Sequence, residues 1–331
     1  MSEWRADPVT GQWTIVADDL PLARRDFVLD GVSRPLDSPC PLCEGRELTA
    51  GHEITAVRHG SAPDGPGWSL RVVPNRVPAL RVEAGTSGAH DGLFVHRPGL
   101  GAHEVVIETP RHDISWFSMT AEELGRILAA WRDRMADLRR DGRLRSAIAF
   151  KNHGVEAGAR LAHAHSQIVA TPVVPPAITH EVEAARRHHT AAGTCLFCDL
   201  VAQELAAGVR VVRQTPACVA LAPYASRTPF ETWLLPVRHG ARFDEASADD
   251  IASLAALLRQ VLEQVGRELE RPAFNAVLHT APFDEPGDGA YHWHLELVPR
   301  VLRASGLDVG AGLAINPVSP EKAARVLRGG G

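Results

Sequence analysis

The stretch Glu104-Val-Val-Ile-Glu-Thr-Pro-Arg-His112 decides the fold, because the chain contains a second stretch with the same length and the same ends, Glu231-Thr-Trp-Leu-Leu-Pro-Val-Arg-His239. A C-x-x-C pair precedes each stretch, at Cys40/Cys43 and at Cys195/Cys198. An H-x-H sequence follows each stretch, at His163-Ala-His165 and at His292-Trp-His294. Chance rarely produces the same order of motifs twice, so the sequence predicts an internal duplication.

Local patterns predict the same elements in each half. Val105-Val-Ile107 and Thr232-Trp-Leu-Leu235 are short apolar runs before a proline and indicate strands. Thr120-Ala-Glu-Glu123 and Ser247-Ala-Asp-Asp250 are capping-box signatures that open amphipathic helices. Each half is therefore expected to be a small antiparallel sheet packed with a long helix, an α+β fold class. The proline-rich joint Thr171-Pro-Val-Val-Pro-Pro176 divides the chain into predicted domains at 1–175 and 176–331.

Composition limits the possible partners. The chain has 331 residues, of which 45% are hydrophobic and 23% charged, and its net charge is -5. The basic residues are dispersed, so no nucleic acid is expected as a partner. No window approaches the roughly 18 apolar residues of a membrane span, and Met1-Ser-Glu-Trp-Arg5 does not begin a signal peptide. We therefore expect a cytoplasmic protein with no membrane partner.

The C-x-x-C pairs predict two zinc sites, because paired cysteines in a reducing compartment more often hold metal than form a disulfide. A tetrahedral site needs two further ligands, which matching histidines in the two halves supply. The predicted sets are Cys40, Cys43, His112 and His163, and Cys195, Cys198, His239 and His292. For either pair alone, a redox pair or a buried core position is the alternative. Which histidine of each H-x-H binds metal stays open, because alternate residues of a strand point the same way.

His165 is the predicted nucleophile. A neutral imidazole can attack an α-phosphorus when one ring nitrogen is presented and the other is held by a hydrogen bond, usually to a backbone carbonyl. Gln167 would lie on the same strand face and donate to a phosphoryl oxygen, and backbone N–H groups of the turn at residues 154–158 could face the same phosphate. The alternative is two packed or metal-bound histidines on one strand. The sequence contains no G-x-x-x-x-G-K-[ST] phosphate loop and only two lysines, Lys151 and Lys322.

Further motifs extend over nearly the whole chain. They are Asp7-Pro-Val-Thr-Gly-Gln-Trp13, Cys40-Pro-Leu-Cys43, Val73-Pro-Asn-Arg-Val-Pro-Ala-Leu80, Gly101-Ala-His-Glu-Val-Val-Ile-Glu-Thr-Pro-Arg-His112, Phe150-Lys-Asn-His-Gly154, His163-Ala-His-Ser-Gln167, Pro223-Tyr-Ala-Ser-Arg-Thr-Pro-Phe-Glu231 and Ile315-Asn-Pro-Val318. Together they resemble the galactose-1-phosphate uridylyltransferase family of the histidine-triad superfamily, particularly its branch with plant ADP-glucose phosphorylase.

The resemblance implies a duplicated histidine-triad-like fold and a double displacement. His165 would take a nucleoside monophosphate from UDP-glucose, release glucose 1-phosphate, and pass the nucleotide to galactose 1-phosphate. The implied partners are a nucleotide sugar, a sugar phosphate and a second copy of the chain, with the acceptor pocket shared between the subunits of a homodimer. The resemblance also implies the two zinc sets given above. The implied substrate-binding residues are Asn75, Arg76, Asn152, Gly158, Arg160, Gln167, Gly310, Gly312 and Asn316.

Three departures from the family pattern bear on the substrate. Arg160 stands where a serine is common, and Arg76 replaces an acidic residue after the nucleoside-binding asparagine. Ala311 and Gly312 stand where aromatic and acidic contacts to the hexose are expected. The alternatives are therefore a nucleotide-sugar phosphorylase that uses ADP-glucose and phosphate, a histidine-triad nucleotide-binding or hydrolase protein with water as acceptor, and a zinc-stabilised scaffold without chemistry.

Overall fold

The structure is a computed structural model that describes residues 3–7, 9, 13–16, 39–87, 89–91, 94–96, 98–285 and 289–329. Residues 8 and 10–12 of the motif that begins at Asp7 lie outside this part of the chain. The strands are β1 (Glu3–Ala6), β2 (Trp13–Val16), β3 (Thr55–Arg58), β4 (Trp68–Pro74), β5 (Ala89–Asp91), β6 (Phe94–His96), β7 (Ala102–Ile107), β8 (Ser146–His153), β9 (His165–Thr171), β10 (Val211–Gln214), β11 (Cys218–Leu221), β12 (Thr232–Pro236), β13 (Phe274–His279), β14 (His294–Pro299) and β15 (Ala314–Asn316).

The helices are α1 (Glu47–Ala50), α2 (Ala121–Leu138), α3 (Pro176–Ala192), α4 (Leu196–Ala207), α5 (Ala248–Glu268), α6 (Gly306–Ala311) and α7 (Pro320–Leu327). Not one of these helices has the length and apolar character to cross a membrane. Short 3-10 helices lie at Val155–Ala157 and Phe243–Glu245.

Ten strands form one antiparallel sheet in the order β10-β11-β12-β14-β13-β8-β9-β7-β4-β3. Five of them come from residues 55–171 and five from residues 211–299. Counted outward from the centre, the two groups follow equivalent orders, β8-β9-β7-β4-β3 and β13-β14-β12-β11-β10. The predicted α+β class with antiparallel sheets is thereby confirmed.

The two predicted sheets are joined edge to edge through β8 and β13. Their register pairs Asn152 with Asn275 and Phe150 with Val277. An open strand edge leaves a row of unpaired N–H and C=O groups, so the pairing of the two inner edges satisfies both rows at once. The two halves therefore share a single continuous sheet.

Helices α2 and α5 lie on one face of this sheet and pack on each other. The predicted capping boxes are present at both starts, where Thr120 and Ser247 each accept a hydrogen bond from the backbone of the third helical residue. Gly125 lies where α2 approaches Ala255 of α5, because a Cβ there would be 3.6 Å from the alanine methyl. The buried stripes of both helices and the inner strand residues form the largest hydrophobic cluster of the described residues.

The opposite face of the sheet is covered unequally in the two halves. Helices α3 and α4 cover the second half, where Val182 and Phe197 pack in one cluster with Trp233 and Leu235. All six residues of β14 are buried, because its other face lies in the cluster formed with α2 and α5. On β9 of the first half, alternate residues remain partly exposed, and the sheet face opens into a cavity.

Candidate active site and metal centres

The first predicted metal set comes together at one end of β9. The Cys43 Sγ lies 3.4 Å from the His112 Nδ1 and 3.6 Å from the His163 Nδ1, and the ligand atoms of Cys40, Cys43, His112 and His163 all lie within 4.8 Å of one another. Zinc bonds of about 2.3 Å to sulfur and about 2.0 Å to nitrogen place such atoms roughly 3.5 Å apart in a tetrahedral site. This group could therefore hold a metal ion.

A hydrogen bond orients the ring of His163 toward the metal set. Its Nε2 lies 2.7 Å from the carbonyl oxygen of Thr109, to which it donates. The Nδ1 lone pair then faces the two sulfurs, as in sites where a second hydrogen bond fixes a ligating histidine. His163 precedes β9, which begins at His165. The alternation of a strand therefore does not apply to it, and the first histidine of the H-x-H belongs to the metal set.

The second predicted set repeats this arrangement. The Cys198 Sγ lies 3.5 Å from the Nδ1 atoms of both His239 and His292, and with Cys195 the four ligand atoms again lie within 4.8 Å. Burial and the neighbouring Cys195 raise the pKa of Cys198 to about 12. Two adjacent thiolates are disfavoured in such a place unless a cation lies between them, so the donor set fits a divalent metal such as zinc.

His165 presents one ring nitrogen to the cavity. Its Nδ1 lies 2.7 Å from the carbonyl oxygen of His163 and donates to it, so the Nε2 carries the lone pair. Burial and the charge of Lys151 lower the pKa of His165 to about 4. The imidazole is therefore neutral near pH 7, which is the nucleophilic form.

A buried ion pair lies behind this strand. The Lys151 Nζ donates to the backbone carbonyl of His165 at 3.0 Å and to the Glu108 Oε2 at 2.6 Å. The Trp116 Nε1 donates to the same carboxylate oxygen at 3.0 Å. The Lys151 and Glu108 side chains are 1% and 0% exposed, so each buried charge is stabilised by the opposite charge of its partner.

The cavity in front of His165 has a volume of about 600 Å³. Six of the predicted substrate-binding residues line it together with His165: Asn75, Arg76, Asn152, Gly158, Arg160 and Gln167. Gly158 has a φ of +86° and ends the short helix Val155–Ala157. Two arginines and three side-chain amides thus surround a space large enough for a nucleotide.

The other three predicted substrate-binding residues do not line this cavity. Gly310 lies in α6 and Gly312 at its end, and both are exposed. Asn316 is fully buried, and its amide donates to the carbonyl oxygens of Ser226 and Thr228 and accepts from Val318. These bonds commit the whole amide of Asn316 to internal packing, in contrast to the predicted contact with substrate.

His103 lines the cavity and was not among the predicted site residues. Its Nδ1 accepts from the backbone N–H of Ala79 at 3.1 Å, and its Nε2 lies 2.7 Å from the Gln167 Oε1 and 2.9 Å from the Asn75 Nδ2. Strand alternation places residue 103 on the same face as Val105, which pairs with Gln167. The pairing of β7 with β9 was needed to find it, and the sequence carries no local signal for that pairing.

His294 occupies the place of His165 in the second half. Its Nδ1 lies 3.3 Å from the carbonyl oxygen of His292, the counterpart of the bond between His165 and His163. Its ring is packed between Phe197 and Trp233, with ring centroids 5.1 and 5.0 Å away, and is fully buried. It therefore has no access to a ligand from solution.

Acidic and histidine side chains surround His294. Glu181, His279, His294 and Glu296 are all buried, and their ligand atoms lie within 4.8 Å of one another. The Glu181 carboxylate accepts from the Tyr291 hydroxyl at 2.7 Å and lies 2.8 Å from the His279 Nδ1. Glu181 and Glu296 outweigh the effect of burial and raise the pKa of His279 to about 9. This buried group was not predicted, because Glu181 joins it from α3, outside the duplicated motifs.

Comparisons with known proteins give the family of this chain. The chain matches the model of the galactose-1-phosphate uridyl transferase N-terminal domain over residues 71–175 and that of the C-terminal domain over residues 181–323. It is 32% identical to the ADP-glucose phosphorylase of Arabidopsis thaliana over 98% of this chain and 92% of that protein. It is 28% identical to the galactose-1-phosphate uridylyltransferase of Thermotoga maritima over 99% of this chain and 98% of that protein.

Solved structures give the same relation. The crystal structure of the Arabidopsis thaliana ADP-glucose phosphorylase with bound ADP-glucose superposes with a TM-score of 0.83 at 31% identity, covering 99% of this chain and 98% of that one. A uridylyltransferase structure superposes with a TM-score of 0.77 at 27% identity, covering 100% of this chain and 98% of that one. The protein therefore belongs to the galactose-1-phosphate uridyl transferase family and is a nucleotidyltransferase.

Proposed function

We propose that this protein transfers a nucleoside monophosphate from a nucleotide sugar to an acceptor through a covalent nucleotidyl intermediate on His165. The observation that carries the proposal is the placement of the His165 ring, whose Nδ1 donates to the His163 carbonyl and whose Nε2 is left for the cavity that His165 lines. A scaffold without chemistry has no need for a nitrogen presented in this way.

The reaction has two displacement steps. The Nε2 lone pair attacks the α-phosphorus, the bond from phosphorus to the bridging oxygen breaks, and the sugar 1-phosphate leaves with that electron pair. The imidazole becomes cationic, and its Nδ1 proton remains shared with the His163 carbonyl oxygen. A phosphate oxygen of the acceptor then attacks the same phosphorus, and the bond to Nε2 breaks. The neutral imidazole is restored, so no proton is consumed over the cycle.

The surrounding side chains act on the phosphoryl oxygens. Gln167 and Asn152 supply amide donors, and Arg76 and Arg160 supply positive charge to the cavity. Donors fixed before the reaction stabilise the charge that develops on the transferring phosphoryl group. Zinc in the first metal set would hold the Cys40–Cys43 turn to His163, and the His163 carbonyl in turn fixes the ring of His165.

Two versions of the reaction differ in donor base and acceptor. The first is a UDP-glucose:hexose-1-phosphate uridylyltransferase, with galactose 1-phosphate as acceptor. The second is a phosphorylase that uses ADP-glucose and inorganic phosphate. The second is supported by the positive charge that Arg76 and Arg160 bring to the cavity, because this charge suits an inorganic phosphate acceptor. A small anion needs only the positive charge that Arg76 and Arg160 provide.

The predicted homodimer is part of the proposal. Gly310 and Gly312 do not reach the cavity of their own chain, whereas a second subunit could bring them to an acceptor pocket shared between chains. Sedimentation of the purified protein over a range of concentrations tests this arrangement, and a monomer at all concentrations would contradict it.

Intact-protein mass measured after mixing with UDP-glucose or ADP-glucose tests the central step. We expect a gain of one nucleoside monophosphate with one of the two donors, absent in His165→Ala. Adding phosphate or galactose 1-phosphate to the labelled protein then identifies the acceptor that discharges it. No gain with either donor would overturn the covalent mechanism, and release of nucleotide without an acceptor would favour the hydrolase alternative.

A further inference from the structure

We propose that His103 and Asn275 are positioning residues that turn the amides of Gln167 and Asn152 so that both present –NH2 groups to the cavity. The inference deepens the proposed function and rests on it. An amide can face a phosphate with either its donor or its acceptor end, and only the donor end stabilises negative charge. The orientation of these two amides therefore decides whether they assist the reaction.

The first chain of hydrogen bonds begins at a backbone group. The N–H of Ala79 donates to the His103 Nδ1 at 3.1 Å, and a backbone N–H cannot act as an acceptor. The neutral ring therefore carries its proton on Nε2, which lies 2.7 Å from the Gln167 Oε1 and donates to it. With its oxygen used in this way, Gln167 presents its –NH2 group to the cavity.

Asn75 is also affected by this tautomer. Its Oδ1 accepts from the backbone N–H of Val77 at 2.9 Å, and its Nδ2 lies 2.9 Å from the protonated Nε2 of His103. Two donors face each other at this distance and form no hydrogen bond, so the Asn75 –NH2 group needs an acceptor from elsewhere, such as an oxygen of a ligand in the cavity. His103 thus keeps donors available on two sides of the cavity.

The second chain of hydrogen bonds begins in the other half of the molecule. The Arg300 Nε donates to the Asn275 Oδ1. The Asn275 Nδ2 donates to the Ala157 carbonyl oxygen at 2.9 Å and to the Asn152 Oδ1 at 2.7 Å. A guanidinium cannot accept and a carbonyl oxygen cannot donate, so the amide of Asn275 has one orientation. The oxygen of Asn152 is then occupied, and its –NH2 group lies beside Gly158, which lines the cavity.

Both chains of hydrogen bonds end on groups that can only donate or only accept, and neither depends on a bound ligand. The Asn275 bond also crosses the junction of the two halves, because β13 pairs with β8 and Asn275 is directly opposite Asn152. The second half therefore contributes to the active site of the first half within one chain. Donors set before the substrate binds cost no reorganisation during the reaction.

A matched pair of substitutions at His103 tests the first chain of hydrogen bonds. Gln and Met are unbranched side chains of similar length, but His103→Gln retains an N–H donor and His103→Met has none. Single-turnover formation of the nucleotidyl intermediate is expected to slow by about 10- to 100-fold in the Met variant, mainly in kcat. The Gln variant is expected to stay within about threefold of the parent. His59→Met, at an exposed turn position, is the matched control.

A double-substitution cycle separates positioning from a general structural effect. If His103 acts through Gln167, His103→Met changes the rate by less than about threefold in a Gln167→Ala background. Asn275→Leu is expected to slow the parent by a similar factor and to have little further effect in an Asn152→Ala background. Equal rates for the Met and Gln variants, or losses that persist in the alanine backgrounds, would overturn the inference.

Binding of UMP and AMP supplies a readout that does not need turnover. Calorimetry is expected to show about tenfold weaker binding in His103→Met than in His103→Gln for the nucleotide that the parent binds. If the parent forms no intermediate but this difference is present, the proposed function fails and the positioning role stands. Equal affinities in the two variants would overturn the positioning role whatever the activity.

Discussion

A Lys151→Met substitution is expected to destabilise the protein by about 3–5 kcal/mol, the usual cost of removing one partner of a buried ion pair. The Lys151 Nζ lies 2.6 Å from the Glu108 Oε2, and both side chains are almost fully buried. Burial lowers the pKa of Lys151, and the charge of Glu108 opposes this shift. After the substitution Glu108 keeps one donor, the Trp116 Nε1 at 3.0 Å, but has no compensating charge.

The expected shift in melting temperature follows from chain length. An unfolding entropy of about 2.1 cal/mol/K per residue gives roughly 0.7 kcal/mol/K for 331 residues, so the Tm is expected to fall by about 4–7 °C. Thermal unfolding followed by circular dichroism, with zinc present in every sample, measures this change. A fall of less than 1 °C would show that Glu108 is not held as a charge by Lys151.

A double variant separates charge from packing. Lys151→Met with Glu108→Leu removes both charges, and the Tm is expected to recover to about 1–4 °C below the parent, because an apolar pair replaces the ion pair while the buried Trp116 Nε1 loses its acceptor at a cost of about 1–3 kcal/mol. Nucleotidyl transfer is expected to be slower than in the parent in both the single and the double variant, since the carbonyl of His165 has lost its donor at 3.0 Å. A double variant as unstable as the single one would refute the electrostatic argument.

Three further substitutions test other features of the structure. Cys198→Ala is expected to reduce the metal content from about two ions per chain to about one, because the three remaining ligands of that tetrahedral site bind metal weakly. Elemental analysis that still finds two ions would contradict this prediction. Gly154→Ala is expected to lower the free energy of unfolding in urea by about 1–3 kcal/mol, because the φ of Gly154 is +84° and a Cβ would lie 2.6 Å from the Ala273 Cβ. Gly142→Ala is the neutral control, because a Cβ at Gly142 meets open space. Thr120→Ala is expected to cost about 1 kcal/mol by the same measurement, because it removes the capping box of α2; no change would mean that the cap is dispensable.

Local sequence signals predicted the elements of this fold more completely than their assembly. The capping boxes at Thr120 and Ser247 and the strands that end each repeat were expected, because each depends on residues close in the chain. The junction of β8 with β13 was not expected. Residues 152 and 275 are far apart in sequence, and strand pairing between such segments leaves no periodic pattern that identifies the partner.

In the site, too, local motifs were predicted better than contacts between distant segments. The cysteine and histidine sets come together as the duplicated spacing predicted, and six of the nine expected substrate residues line the cavity. His103 and Asn275 were not predicted, because their proposed role depends on which atom of a neighbouring amide each of them contacts. A sequence gives the residue type but neither the tautomer of a histidine nor the orientation of an amide, which depend on partners from other strands.

The two copies of the duplicated unit differ chiefly in what covers the sheet face opposite α2 and α5. In the second copy, Phe197 of α4 packs on His294, which keeps the hydrogen bond of a nucleophile but is fully buried. Glu296 stands where the first copy has Gln167, and a carboxylate there would repel a phosphate instead of donating to it. The proposed transfer is therefore confined to the first copy. The second copy still acts on it, because the shared sheet places Asn275 against Asn152.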